Sequence, residues 1–215
     1  MDRVAIKEEA KAKIKGNIWN ILWPSLVIGL LEGVLVNICG GGSGSFVNFE
    51  MNNLDVNSVN ASYSPINLVF TILFSVVNVA YIKYVLNFVR TGKFEFNDII
   101  DCLKTKWLNI LGVSVITYLA ITAGFILFII PGIIIALGLT MSSIIVIDSD
   151  LGPVDAVKKS WEMMKGYKWN YFVFLLSFLG WIILSPFTLF ILLIWLVPYI
   201  TVAEIIYYEK LKEKK

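Results

Sequence analysis

The chain has 215 residues, of which 58% are apolar and only 16% are charged, and its mean hydropathy is +0.78. A soluble domain of this size cannot bury so much apolar surface, and a disordered chain carries more charge, so both classes are excluded. The sequence contains no His, which excludes His-dependent acid–base, nucleophilic and metal-binding sites.

The basic residues fall into four groups that alternate with long apolar stretches. Residues 16–82, 107–157 and 169–209 contain no Lys or Arg. Each stretch is long enough for two crossings, since one helical crossing takes about 20 apolar residues. Basic segments beside membrane helices stay in the cytoplasm. We therefore predict an all-α, polytopic membrane bundle of six transmembrane helices, arranged as three hairpins within one integral membrane domain, with both termini cytoplasmic.

The N-terminal part contains an amphipathic segment and the first hairpin. Residues 1–16 are predicted to be a cytoplasmic helical segment that presents Ile6, Ala10 and Ile14 on one side. Hairpin 1 covers residues 17–88. Its outer loop, 40–64, is rich in Gly, Ser and Asn and contains no basic residue, which is typical of a flexible exposed loop.

Two further hairpins follow. Hairpin 2 covers residues 107–147 and is predicted to turn near Pro131 and Gly132. Hairpin 3 covers residues 167–208 and is predicted to turn near Ser185 and Pro186, with 209–215 as a cytoplasmic tail.

Amphipathic cytoplasmic segments precede these two hairpins, at 96–107 and 153–165. In the second segment Pro153 suits the first helical position and Gly166 suits the stop. Its predicted apolar stripe consists of Val154, Val157, Trp161 and Met164. Such helices fit either the bilayer surface or the inner ends of the bundle.

Similar short motifs lie where the three hairpins begin. Residues 15–20 read Lys-Gly-Asn-Ile-Trp-Asn, residues 165–170 read Lys-Gly-Tyr-Lys-Trp-Asn, and residues 106–109 read Lys-Trp-Leu-Asn. Either the chain is a three-fold repeat of amphipathic helix plus hairpin, or Lys and Trp recur because both suit the headgroup region.

Ionisable residues within apolar runs are functional candidates, because charges are costly in a bilayer. Lys83 and Glu204 have similar predicted depth, so they could form a structural pair, or Lys83 could snorkel to the headgroups. These structural roles are favoured over a role in transport. Glu32 has no basic residue at its depth, so it must be protonated, hydrogen-bonded or facing water. Asn78 is a candidate donor to a neighbouring helix.

Small residues indicate where helices pack closely. Gly29 and Gly33 form a Gly-xxx-Gly step beside Glu32, and Gly132 and Ala136 share one side of the predicted fourth helix. Small faces allow close helix approach in lipid. The fourth helix is therefore predicted to be the central one.

No strong catalytic motif is present. Asp148, Asp150 and Asp155 are close in sequence, but the pattern lacks the Gly and the terminal Glu of an EF-hand loop. Such residues more often cap the next helix. We predict no metal site, no cofactor site, no catalytic residue and no nucleic-acid partner.

Several stretches resemble a known family. They are 10–22, 129–150, 156–184 and 195–211, which include IIPGIIIALGLTMSSIIVIDSD and WLVPYITVAEIIYYEKL. They resemble a domain-of-unknown-function family of small bacterial multi-pass membrane proteins, similar to the membrane part of some glycerophosphodiester phosphodiesterases. The resemblance implies an architecture in the bacterial cytoplasmic membrane, but no activity, substrate or catalytic residue. The phosphodiesterase activity is not implied, because the catalytic domain has no counterpart in these stretches.

Three functional hypotheses follow. The favoured one is a non-enzymatic accessory module, embedded in the phospholipid bilayer, that binds lipid or a membrane protein partner. The alternative is a small transporter or exporter component that uses Glu32. The third is a lipid-headgroup enzyme that uses Asp148, Asp150 and Asp155.

Overall fold

The computed structural model describes residues 2–39, 65–188 and 191–214. Within these ranges it describes the backbone but not the side chains of 32, 33, 35–39, 65–73, 191 and 193. The predicted outer loop, 40–64, lies outside the described residues.

The described ranges are helical and contain no strand, so the all-α class is confirmed. The helices are α1 (Arg3–Ile14), α2 (Ile18–Cys39), α3 (Pro65–Thr91), α4 (Asn97–Leu127), α5 (Ile129–Leu139), α6 (Ser142–Asp148), α7 (Pro153–Met163), α8 (Lys168–Leu184) and α9 (Ile191–Lys212). A short 3₁₀ turn, Pro186–Thr188, follows α8. Hairpin 1 thus consists of α2 and α3, hairpin 2 of α4 to α6, and hairpin 3 of α8 and α9.

Two helical runs of the described chain are long and apolar enough to cross a bilayer: α4, and the run Ile129–Asp148 formed by α5 and α6. A third crossing is possible if α7 and α8, which meet at 89°, form one bent span. Association with a membrane is therefore supported. The count of six crossings stays a prediction.

The turns of hairpins 2 and 3 lie close to the predicted positions. In hairpin 2 the break is at Phe128, whose backbone is extended (φ −165°, ψ 157°), so the turn comes three residues before Pro131. Pro131 instead lies in the first turn of α5, where its missing N–H would have had no helical partner. In hairpin 3, α8 ends at Leu184 and the 3₁₀ turn begins at Pro186, as predicted.

The segment 96–107 is not a separate amphipathic helix. It is the first third of α4, which runs unbroken from Asn97 to Leu127. The other two hairpins begin after a glycine with positive φ, at Gly16 (φ 88°) and Gly166 (φ 86°). Hairpin 2 has no glycine at the corresponding place, so nothing interrupts its helix.

The two glycine turns have the same hydrogen-bond geometry. The Asn17 N–H donates to the Ile14 carbonyl at 2.9 Å, and the Tyr167 N–H donates to the Met164 carbonyl at 3.0 Å. In each case the donor follows the glycine and the acceptor lies two residues before it. The two motifs thus form the same turn, which is common where a helix ends at a glycine with positive φ, so the choice between a repeat and convergence stays open.

The apolar face of α1 is as predicted, but that of α7 is so only in part. Ile6, Ala10 and Ile14 are all buried. On α7, Val154 and Trp161 are 52% and 40% exposed, and the buried residues on that helix are Ala156, Ser160 and Met163. The predicted stripe is therefore only partly right: Met164 is buried and Val157 packs against the core, but the buried face is rotated toward the small residues Ala156 and Ser160, which lie against α4 and α6.

The helices that lead into the hairpins pack on other hairpins. The first helix, α1, packs on α9; the start of hairpin 2, α4, packs on α3; and α7 packs on both α4 and α6. Each therefore has the last helix of a different hairpin among its neighbours. Because α3 also contacts both α6 and α9, the last helices of all three hairpins lie together at the centre of the fold.

Candidate functional site

The C-terminal ends of α3, α6 and α9 meet in a cluster of charged and hydroxyl groups, which we call the polar junction. It consists of Arg90, Asp148, Tyr208, Glu209 and Lys212. The Arg90 guanidinium donates from Nη1 to Asp148 Oδ1 at 2.5 Å, and from Nε and Nη2 to Glu209 Oε1 at 2.9 and 2.6 Å. The Tyr208 hydroxyl and Lys212 Nζ donate to Asp148 Oδ2 at 2.8 and 2.7 Å.

Asp148 is the centre of this junction. Its side chain is 5% exposed, whereas Arg90 and Glu209 are about one-third exposed (31% and 28%). Two cations and a hydroxyl donate to its oxygens, which favours the ionised carboxylate and compensates for its burial. With both oxygens already engaged, the carboxylate ties helices together and is poorly placed to exchange a proton with a substrate.

A second set of contacts caps the end of α6. Lys106 Nζ on α4 donates to the Ser149 carbonyl at 2.8 Å and pairs with Asp150 Oδ1 at 3.0 Å. A cation at a helix C-terminus is stabilised by the helix dipole. The Asp150 side chain is fully exposed, so this pair is much weaker than the contacts of Asp148.

Helix α1 connects hairpins 1 and 3 near the junction. Glu9 pairs with Lys210 on α9 at 2.7 Å, and Lys13 Nζ donates to the Val89 carbonyl at the end of α3 at 2.8 Å. Lys7 Nζ donates to the Ser177 carbonyl on α8 at 3.3 Å. Burial lowers the pKa of Lys7, and the charge of Arg3 lowers it further.

The three aspartates of the enzyme hypothesis have separate environments. Asp148 belongs to the polar junction, Asp150 pairs with Lys106, and Asp155 is exposed on α7. Among the described residues, no group of three Cys, Asp or Glu side chains is arranged to hold a metal ion.

The predicted pair of Lys83 and Glu204 does not form. Glu204 Oε1 accepts a hydrogen bond from the Tyr171 hydroxyl at 3.0 Å, so it faces α8. Lys83 makes no ion pair with any described residue; it lies near Cys102 on α4. Pairing is excluded because the two side chains face different helices, and snorkelling by Lys83 stays a prediction.

The other predicted polar candidate on hairpin 1 makes a local contact. Asn78 Nδ2 donates to the Phe74 carbonyl of its own helix at 3.1 Å. Gly29 lies on an exposed part of α2, and a Cβ built there meets no described atom within 4 Å. Glu32 and Gly33 lie on α2, but their side chains are outside the part of the chain that the structure describes.

The small residues of the predicted fourth helix lie on α5. A Cβ built at Gly132 would lie 2.7 Å from the Phe125 ring, and one built at Gly124 would lie 3.0 Å from Gly132 Cα. The glycines therefore allow α4 and α5 to approach closely beside their turn. Ala136 lies one turn further along, and its carbonyl accepts a hydrogen bond from Thr140 at 2.9 Å.

Sequence reasoning missed the contact between α5 and α7. Gly138 lies against the Trp161 ring, because a Cβ built at Gly138 would lie 2.4 Å from Trp161 Cε3. The Ser160 hydroxyl donates to the Gly138 carbonyl at 2.9 Å. Lys168 Nζ lies 3.1 Å from the centroid of the Trp161 ring, a cation–π contact. A glycine inside an apolar helix was the available indication of such a close contact.

An apolar pocket of about 400 Å³ lies between α4, α5 and α7. Its lining residues are Ala120, Ile135, Leu139, Val157, Lys158, Trp161 and Glu162. We call it the α7 pocket. Its volume is within the range of ligand pockets, roughly 300–1,000 Å³.

Part of the chain matches a protein family. Residues 109–215 match the family described as Protein of unknown function (DUF975). No curated protein and no solved structure matches the chain significantly. The matched part contains the α7 pocket and, apart from Arg90, the polar junction. In that part the chain is similar to an uncharacterised family, whose description gives no activity.

Proposed function

We propose that the protein is a non-enzymatic, multi-pass module of the bacterial cytoplasmic membrane that acts by binding a lipid or a membrane protein partner. Its six membrane helices form three hairpins, with both termini on the cytoplasmic side. Its environment is the phospholipid bilayer, and nucleic acid is not among its partners.

The polar junction is the observation that carries this proposal. It places the C-terminal ends of three hairpins at one end of the bundle, where their charges meet. The turn of hairpin 2 lies at the opposite end of α4 and exposes large apolar side chains at every position from 125 to 130, including Ile126 (79%) and Phe128 (75%). A bundle with one charged end and an exposed apolar body is suited to a bilayer.

The absence of enzymatic activity is supported by the state of Asp148. Its side chain is the most buried carboxylate among the ion pairs of the described residues, and its oxygens are engaged within the bundle. A general acid or base needs a proton-transfer path to a substrate.

Labelling of intact cells tests the topology. An impermeant amine reagent is applied from outside, and modified positions are mapped by peptide mass spectrometry. Lys104 and Lys159 are suitable reporters because both are exposed; Lys212 is less suitable because its ammonium binds Asp148. We expect both reporters to react only after the membrane is permeabilised. Reaction of either residue in intact cells would contradict the proposed arrangement.

Purification in mild detergent tests the binding role. We expect native mass spectrometry to show a stoichiometric lipid or protein partner on the chain. A monomer that carries neither, from cells in which the labelling pattern is as expected, would contradict a binding function while leaving the topology intact.

A further inference from the structure

We propose that α2 is a hinged helix. It bends at Pro24, a tyrosine of α3 holds the bend, and stacked rings link that tyrosine to the loop 92–96, which joins α3 to α4. We call residues 25–39 the arm. This device goes beyond the proposed binding role, while the cytoplasmic position of the loop rests on the proposed topology.

Pro24 interrupts the hydrogen-bond ladder of α2. It lies inside the helix, which runs from Ile18 to Cys39. Proline has no backbone N–H, so the carbonyl of Asn20, four residues earlier, has no helical donor, and the proline ring also clashes with that carbonyl. Sharp bends in helices occur mainly at such positions. In α2, therefore, bending costs least at Pro24.

Two tyrosines of α3 supply donors at this point. The Tyr84 hydroxyl donates to the Asn20 carbonyl at 3.0 Å, and the Tyr81 hydroxyl donates to the next carbonyl, that of Ile21, at 3.0 Å. Both tyrosines are buried. Proline is tolerated in membrane helices where neighbouring groups satisfy the freed backbone carbonyl. Tyr84 thus takes the place of the missing N–H and fixes the inner part of α2 against α3.

The two sides of Pro24 are packed very differently. On the inner side, Ile21 and Leu22 are buried, at 0% and 5% exposure. On the outer side, every residue beyond Ile28 whose burial is described is exposed: Gly29, Leu30, Leu31 and Val34. At 100° per residue these positions span about 200° of the helix circumference. An element with few buried contacts moves at low cost, so the arm is the part that moves.

The Tyr84 ring also connects the hinge to the loop between hairpins 1 and 2. Its centroid lies 5.6 Å from that of Phe94 and 5.3 Å from that of Phe96. Phe94 in turn stacks on Phe88 at 4.1 Å. Phe96 is 61% exposed, so a contact at the cytoplasmic surface reaches the ring whose hydroxyl holds the bend.

A clamp on a proline differs measurably from an ordinary structural hydrogen bond. If Tyr84 were only structural, its hydroxyl would stabilise α2 whichever residue stood at position 24. If it acts as the clamp, the hydroxyl is needed only while Pro24 leaves the Asn20 carbonyl free. Pro24→Ala restores a backbone N–H at this position and should therefore make the Tyr84 hydroxyl dispensable.

The hinge is tested by distances between spin labels, measured by double electron–electron resonance on the full-length protein in mild detergent. Both native cysteines are replaced by Ser. A label at Val34→Cys reports on the arm and one at Trp19→Cys on the inner part of α2, each paired with Phe128→Cys and with Phe187→Cys. We expect Pro24→Ala to move the arm label by about 5 Å, because a bend of about 20° acts over ten residues, about 15 Å. The Trp19→Cys label should stay in place.

Tyr84→Phe tests the clamp. With Pro24 in place, we expect it to broaden the arm distances and to shift the unfolding equilibrium at least about fivefold toward the unfolded state, since a buried carbonyl loses its donor. In the Pro24→Ala chain it should do neither. Tyr207→Phe is the matched control, because Tyr207 is also fully buried and its hydroxyl donates to Asn170 Oδ1 at 3.2 Å. Its effect should be the same in both chains.

Phe96→Ala tests the link to the loop. We expect it to broaden the arm distances as Tyr84→Phe does, because the ring that packs against Tyr84 is lost. Phe172→Ala is the control. It removes a ring that packs on Trp169 of hairpin 3 at 5.5 Å and should leave the arm distances unchanged.

Three results would overturn the device. They are an arm label that stays in place in Pro24→Ala or moves no further than the Trp19→Cys label, equal effects of Tyr84→Phe in both chains, and unchanged arm distances in Phe96→Ala. The lysine labelling of intact cells checks the topology separately. If the labelling fails while the distances are as expected, the hinge stands and only the cytoplasmic position of the loop fails.

Discussion

At the polar junction the carboxylate of Asp148 is 5% exposed and accepts hydrogen bonds from donors on α3 and α9. At the turn of hairpin 2, by contrast, Phe128 is 75% exposed. At the polar junction the charged groups find their partners within the protein. The turn of hairpin 2 leaves large apolar side chains exposed, which the proposed arrangement places at the outer interface of the bilayer. Substitutions at the two ends should therefore be detected by different measurements, stability at one end and membrane exposure at the other.

Asp148→Ala should produce the largest loss of stability. The substitution leaves Lys212 and part of Arg90 without their carboxylate, and breaking a buried pair costs roughly 3–5 kcal/mol. Because Arg90 is partly exposed, we expect the free energy of unfolding to fall by about 3 kcal/mol. Denaturant unfolding in detergent micelles measures it.

Asp150→Ala is the matched control. It removes an exposed carboxylate that also pairs with a lysine, so the change should be at most about 1 kcal/mol. Equal losses in the two variants would show that the junction does not hold the helices together.

Gly138→Ala should have the next largest effect. The new Cβ would lie 2.4 Å from the Trp161 ring, and overpacking of this kind costs about 1–3 kcal/mol. Thermal unfolding followed by Trp fluorescence measures it. Gly29→Ala has free space around the new methyl group and should leave stability unchanged or slightly raised. A neutral Gly138→Ala would mean that α5 and α7 can separate at little cost.

Gly16→Ala and Gly166→Ala should each cost about 1–2 kcal/mol, because both glycines have positive φ, where L residues are strained. The losses should be similar if the two turns are repeats of one structure. Gly180→Ala, on an ordinary helical stretch with free space, is the control in the same unfolding assay. If only one of the two substitutions lowered the free energy of unfolding, the two turns would not be equivalent, and this would count against a structural repeat.

Phe128→Cys should have the smallest effect on stability, within about 0.5 kcal/mol, since the side chain is exposed. In a background with both native cysteines replaced by Ser, we expect an impermeant thiol reagent to modify this cysteine in intact cells. Lys104→Cys, at the opposite end of α4, should be protected until permeabilisation. Protection of Phe128→Cys as well would show that hairpin 2 enters the membrane without crossing it.

The sequence supplied much of the helical framework. The buried face of α1 was predictable because Ile6, Ala10 and Ile14 repeat at the helical period among charged residues. The stop at Gly166 was predictable from glycine chemistry. The face of α7 was predictable only in part: Met164 is buried as predicted, but Val154 and Trp161 are exposed while Ala156 and Ser160 are buried, because small side chains allow the closer approach of neighbouring helices.

The candidate site also contains features that the sequence predicted and features that it did not. Asp148 was a candidate from the sequence, but its closeness to Asp150 and Asp155 indicated a role in capping the next helix or in binding a metal ion. Its true partners, Arg90 and Lys212, are 58 and 64 residues away. No local pattern reports such a contact. Glu204 was predicted to pair with Lys83 from depth alone, yet depth does not tell which neighbour a side chain faces.

Composition and the spacing of basic residues by themselves determined that this chain is helical and apolar enough for a membrane, because charge and hydropathy act residue by residue. Only the tertiary structure decided that three hairpin ends share one buried carboxylate and that a pocket opens beside Trp161. Both depend on the rotation and approach of helices distant in sequence, which are set by the shapes of small residues such as Gly138 and not by their polarity.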